Sequence, residues 1–175
     1  MPMFDRLGKY DLIVVDPPWP VKKVVRKVRP NQKQDIGYKT MSAEEIMGLP
    51  VAEHAMDNCT LLLWTTHAML PLSIEVVRAW GFKYKRVLTW DKRNGMTLCG
   101  FHHRTELCIV ATKGATSTFV HGKAIPTVFS ARSTRHSAKP DEFYDMVKKL
   151  GSKRVDIFAR KTRDGWDVYG DEINV

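Results

Sequence analysis

Long apolar runs are missing from this sequence of 175 residues. No stretch approaches the roughly 18 apolar residues that suggest a membrane span, so a soluble globular protein is expected. Cysteine is scarce: Cys59, Cys99 and Cys108 are odd in number and irregularly spaced, which excludes a disulfide framework and points to reduced thiols. Cys99, His102, His103 and Cys108 also lack the spacing of a zinc finger or knuckle, so no metal is expected. The opening MPMFDRLGKY has neither an apolar signal core nor a Ser/Arg-rich transit pattern, and a cytoplasmic location is expected. Repeats, low-complexity tracts and linkers are absent too. Residues 1–175 therefore read as a single domain, without room for a separate target-reading domain.

Acidic residues are in deficit, with 19 against 28 Lys and Arg, giving a formal net charge of +9. That balance favours a polyanionic partner, nucleic acid first, because each neutralised phosphate releases condensed counterions. The charge is concentrated between Pro20 and Gly37, where Lys22, Lys23, Arg26, Lys27, Arg29 and Lys33 face one acid, Asp35. Alone, that run reads equally as a solvated loop. Its neighbour gives it meaning.

Tyr10 to Val15 (YDLIVV) is a short apolar, β-branched run that ends in Asp16-Pro17-Pro18-Trp19. It reads as a buried strand stopped by two prolines, which puts the Asp16 carboxylate at the strand's C-terminal edge. Ligands bind at that edge in open α/β sheets. Further along, Ser42 and Glu45 have capping-box spacing for a short helix through Met47, and Pro50 opens another turn. Strands are expected at Thr60–Thr65, Phe82–Trp90, Arg104–Thr112, Thr127–Ser130 and Arg154–Ala159. Helices are expected from His67 to Trp80 and from Pro140 to Leu150, each followed by glycine, and residues 91–103 read as a polar loop. Alternating strands and helices imply an α/β fold with a mainly parallel, doubly wound sheet.

Adenine's exocyclic nitrogen is a poor nucleophile because its lone pair is delocalised into the ring. A carboxylate and a backbone carbonyl side by side can accept both amine hydrogens and favour tetrahedral nitrogen as it attacks an electrophilic methyl. Asp16 and the rigid Pro17-Pro18 backbone can supply these groups, and Trp19 can stack on the purine. The bare tetrapeptide is also compatible with a strand-ending turn and a packing Trp. Glu106, among apolar strand residues, needs a cationic partner such as Arg104, Arg132 or Arg160. His102, His103 and Arg104 are candidates for phosphate contact and read equally as solvated loop residues. Trp64, Trp80 and Trp90 read as packing, and His136 as a residue that orders the loop before the last helix.

With DPPW at 16–19, YKTMSAEEI at 38–46, LLLWTT at 61–66, WDK at 90–92, RTELCIVATKG at 104–114, ARSTRHSAKPDEFY at 131–144, and IFAR then GWDVYGDE within 157–172, the chain resembles the MTA-type adenine-N6 methyltransferases. The resemblance implies a Rossmann-like S-adenosyl-L-methionine-dependent methyltransferase fold with permuted motif order, the catalytic strand coming first. It implies catalytic roles for Asp16, Pro17, Pro18 and Trp19. It also implies cofactor contacts at Asp16, Lys92, Arg160, Lys161, Thr162, Arg163, Asp171 and Glu172, with Lys92 near the methionine carboxylate and the last two near the ribose. Trp19, Lys22, Lys23, Arg26, Lys27, Tyr38, His103 and Arg104 would meet a DNA or RNA substrate. A bacterial or phage enzyme acting on DNA is favoured by the compact chain. A catalytically silent nucleic-acid-binding subunit and a small-molecule methyltransferase are the competing functions.

Overall fold

The computed structural model describes residues 8–20, 40–98, 100–115, 124–132 and 138–170. Seven strands form one sheet: β1 (Tyr10–Val15), β2 (Ala55–Thr65), β3 (Lys83–Leu98), β4 (Phe101–Lys113), β5 (Val128–Ser130), β6 (Arg154–Ile157) and β7 (Asp167–Tyr169). Their spatial order is β5-β3-β4-β2-β1-β6-β7. Only β4 pairs antiparallel with its neighbours β2 and β3; the other pairs are parallel. The sheet is thus mainly parallel, as expected, and the carboxyl ends of β1, β2, β3, β5, β6 and β7 share one edge.

Three helices are α1 (Ala43–Met47), α2 (Leu70–Ala79) and α3 (Asp141–Val147), with 3-10 turns at Pro50–His54, His67–Met69 and Lys148–Leu150. The start of α1 is fixed by the expected capping box. The Ser42 hydroxyl accepts from the Glu45 amide at 3.1 Å, and the Glu45 carboxylate accepts from the Ser42 amide at 2.7 Å. Both sheet faces carry core. Ile13, Val15, Leu61, Leu63 and Ile109 pack with Ile46 of α1 and with Val76 and Val77 of α2. Leu12, Val14, Leu62, Trp64, Cys108 and Val110 pack with Phe143 and Val147 of α3. The alternation of side chains along each strand explains the division, and it accounts for the unbroken apolar runs in β1 and β2.

Residues 91–103 are not the expected polar loop. Most of them extend the β3–β4 hairpin, with Met96 opposite His103 and Leu98 opposite Phe101, and Gly100 takes a φ of +83° at the tip. The misleading pattern has a local cause: the register shifts between Asp91 and Met96, and Arg93 adopts a φ of 61° there. β7 is a further three-residue strand that the sequence pattern does not single out.

Candidate active site

The ladder between β1 and β6 continues one residue past Val15, since the Asp16 amide donates to the Ile157 carbonyl at 3.2 Å. Asp16 is therefore held at the carboxyl edge of the sheet's centre. The Trp19 amide folds back onto the Pro17 carbonyl at 2.8 Å, and the Met41 amide donates to the Pro18 carbonyl at 2.9 Å. Trp19 itself is 8% exposed, and its indole N–H donates to the Trp64 carbonyl at 2.9 Å. Most of its ring is covered by the protein, so the indole anchors the tetrapeptide to β2.

A line of alternating charges runs from Asp16 across the sheet edge. The Lys139 Nζ lies 2.8 Å from Asp16 Oδ2 and 2.6 Å from Glu106 Oε1, and the Lys92 Nζ lies 2.6 Å from Glu106 Oε2. The Lys139 side chain is 5% exposed. Each cation also sits over an aromatic ring, Lys139 at 5.1 Å from the Trp64 centroid and Lys92 at 5.0 Å from Trp90. Two carboxylates and two ammonium groups balance, which is what makes burial tolerable. Loss of Lys139 alone would strand Asp16 and leave Glu106 with Lys92 only, a cost of about 3–5 kcal/mol by analogy with broken buried pairs.

These contacts set the acidities. Burial pushes the Asp16 carboxyl above its ordinary range and outweighs Lys139; Glu106 adds to the rise, while Lys139 and Arg160 oppose it. Burial pushes Glu106 up as well, yet Lys139 and Lys92 together hold it below its usual value. Burial works against the Lys139 ammonium, but Asp16 and Glu106 raise its pKa. The result is a permanent cation beside the less comfortable of two anions.

Lys139 is the site residue that sequence reasoning missed. It precedes Pro140, which opens α3, and a residue before proline is pushed to extended backbone, so its side chain reaches back to the sheet instead of joining the helix. A signal was available: Glu106, buried in an apolar strand, demanded a cation. The expected partners were Arg104, Arg132 or Arg160; the observed ones are Lys139 and Lys92. Arg104 is instead committed to Asp91, donating to it from Nε at 2.7 Å and from Nη2 at 2.5 Å, and holds that carboxyl well below the usual range.

Of the other expected site residues, Lys92 joins the cluster and Arg160 lies near enough for its charge to act on Asp16. Phe158, two residues before Arg160, takes a φ of 65°, turning the chain sharply after β6. Lys161 pairs with Asp141 at 2.6 Å on the surface, Thr162 lies in the same turn, and Arg163 points inward to Asp156 at 3.0 Å. His103 lies on the projecting hairpin with its ring 6.2 Å from that of His67. Lys22, Lys23, Arg26, Lys27, Tyr38, His136, Asp171 and Glu172 lie outside the described residues, as does most of the basic 20–37 segment.

A profile of the family described as MT-A70 matches residues 10–172. The type II methyltransferase M.MunI from Mycoplasma sp is 30% identical over 182 residues, an alignment covering 94% of this chain and 78% of that protein. The human N(6)-adenosine-methyltransferase catalytic subunit METTL3 is 27% identical over 183 residues, 96% of this chain but 29% of its own length. The human N(6)-adenine-specific methyltransferase METTL4 is 27% identical over 199 residues, covering 98% and 39% respectively.

Proposed function

Since the chain belongs to the MT-A70 family, we propose that it transfers a methyl group from S-adenosyl-L-methionine to the N6 amine of adenine in nucleic acid, DNA in preference to RNA. The observation that carries this reading is Asp16, held at the carboxyl edge of the sheet by β6 and by the buried ammonium of Lys139.

S-adenosyl-L-methionine supplies an electrophilic methyl group on a sulfonium centre. Its amino-acid end is a zwitterion, and the chemistry present fits it: Lys139, Lys92 and Arg160 bring positive charge towards a carboxylate, and Asp16 offers an acceptor to an ammonium. Asp171 and Glu172 are assigned to the ribose hydroxyls.

For the reaction, Lys139 holds Asp16 Oδ2, and Oδ1 is assigned to an amine hydrogen of the target adenine. The Pro17 carbonyl, already accepting from Trp19, retains a second lone pair for the other hydrogen. Nitrogen that has gained a methyl group carries a surplus proton, and the raised basicity of Asp16 suits it to receive that proton. Glu106 keeps Lys139 charged and Lys92 holds Glu106 in place, so the field around Asp16 is formed before the base arrives.

The preference for DNA rests on the similarity to the type II methyltransferase M.MunI, 30% identical over 94% of this chain. Among the described residues no helix is long and apolar enough to cross a membrane, and Cys59 and Cys108 are free buried thiols. We place the protein in a reducing cytoplasm.

Asp16→Asn tests the chemical assignment, because it keeps the size, weakens the acceptor and turns an amide donor towards the amine. Turnover at saturating substrates should fall by about a hundredfold or more, while oligonucleotide affinity stays within about threefold. Near-parental turnover in a folded variant would remove Asp16 from the reaction.

A further inference from the structure

Arg163 was expected among the cofactor contacts, but its guanidinium is turned away from solvent. Its side chain is 11% exposed; Nη1 lies 3.0 Å from Asp156 Oδ2, Nε 3.4 Å from Asp141 Oδ1, and Cζ stacks 3.4 Å from the centroid of the Tyr144 ring. The Tyr144 hydroxyl donates to the same Asp156 oxygen at 2.8 Å. The remaining arm, Nη2, donates to the main-chain carbonyl of Lys139 at 3.5 Å.

That carbonyl belongs to the residue whose ammonium bridges Asp16 and Glu106. Pro140 follows it and the first turn of α3 begins after Pro140, so the helix offers the Lys139 carbonyl no intrahelical donor. Asp156 is meanwhile fixed on β6 opposite Val14 of β1, two residues before Asp16. Arg163 therefore spans from the strand beside the catalytic strand to the backbone of the lysine that meets Asp16. Its planar fork matches two acceptors, Asp156 and the Lys139 carbonyl, and an aromatic face at once, with Asp141 within ion-pair range, which an ammonium cannot do.

We propose that Arg163 is a positioning residue for the methyl-transfer site: braced by Asp156 and Tyr144, it fixes the backbone of Lys139 and so keeps the ammonium between Asp16 and Glu106, without itself holding cofactor. The activity side of this inference rests on the function proposed above. The placement side does not.

Two readouts on the full chain separate them. In the first, the side-chain ammonium resonance of Lys139 is followed by ¹H–¹⁵N NMR, assigned by its absence in Lys139→Gln. Arg163→Lys retains a positive charge but loses the fork, and Tyr144→Phe removes only the hydroxyl brace. Both should shift the Lys139 signal and hasten its exchange with water. An unchanged signal in folded Arg163→Lys would overturn the proposal.

The second readout is a double-mutant cycle on kcat/KM, with Lys139→Gln chosen because it removes the ammonium that Arg163 is proposed to position while leaving a polar side chain at the site. Arg163→Lys should lower kcat/KM about tenfold in the parent and less than about twofold in the Lys139→Gln background, since a residue acting only through Lys139 has nothing left to position. Equal losses in both backgrounds would mean that Arg163 acts on its own, as a cofactor contact would, and would overturn the proposal. Should the parent transfer no methyl group, the proposed function falls, and the Lys139 resonance still decides whether Arg163 positions that lysine.

Discussion

Buried charge is the feature of this molecule in which single residues matter most, and it occurs twice. Beside the cluster at Asp16 lies Asp156, 2% exposed, whose carboxyl is pushed up to about 7 by burial, against the opposing pull of its Tyr144 hydrogen bond and of Arg163. A carboxyl whose folded-state pKa exceeds its unfolded value binds protons more tightly when folded, so its stabilising contribution is full below about 4 and is lost as pH rises to about 7. Asp156→Asn removes that titration. Compared with the parent, its melting temperature should decline less between pH 4 and pH 7; parallel curves for the two proteins would contradict the raised pKa. Neither buried network was fully legible in the sequence. Asp16 could be placed because a β-branched run stopped by two prolines puts it at a strand end, and Glu106 was recognised as an acid needing a partner. Lys139 and Arg163 could not be placed, since which cation reaches a buried acid depends on chain crossings that bring residues 16, 106, 139 and 163 together.

Among the elements, β1, the capping box of α1 and the proline-opened α3 follow from local rules: apolar runs, side-chain caps and the fixed φ of proline. The β3–β4 hairpin does not, because the register shift at Asp91–Met96 replaces alternation with an Asn-Gly pair that reads as a loop. The 20–37 segment is the element on which substrate grip depends in the proposed function, for it carries six basic residues directly after Trp19. Neutralising Lys22, Lys23, Arg26 and Lys27 together should weaken binding of every oligonucleotide, whatever its sequence. The salt dependence of that binding should become shallower as fewer counterions are released. Affinity for S-adenosyl-L-methionine should hardly change, because Lys92, Lys139 and Arg160 are untouched. Titrations at several salt concentrations check this, and a quadruple variant with parental affinity and salt slope would reduce the segment to solvated surface.

At the scale of the whole molecule, the first strand delivers Asp16 to the middle of a sheet whose later strands supply everything around it: Lys92 from β3, Glu106 from β4, Lys139 from the approach to α3, Arg160 from the turn after β6. One reversed strand, β4, lets Glu106 enter this edge from its amino-terminal half while Cys108 and Val110 continue into the core. The fold class and the placement of Asp16 at a strand's carboxyl end were legible from alternating elements and one strand-ending motif. The strand order was not, because it is set by contacts distant in sequence. A net charge of +9 and a preformed carboxylate held by a buried ammonium lead to the same partner, a polyanion carrying an amine to be methylated. The most direct measurement is to incubate the protein with S-adenosyl-L-methionine labelled in its methyl group and matched DNA and RNA oligonucleotides, then identify the labelled base by mass spectrometry. Label is expected on N6 of adenine, more in DNA than in RNA; label on another base, or on neither polymer, would overturn the proposed function.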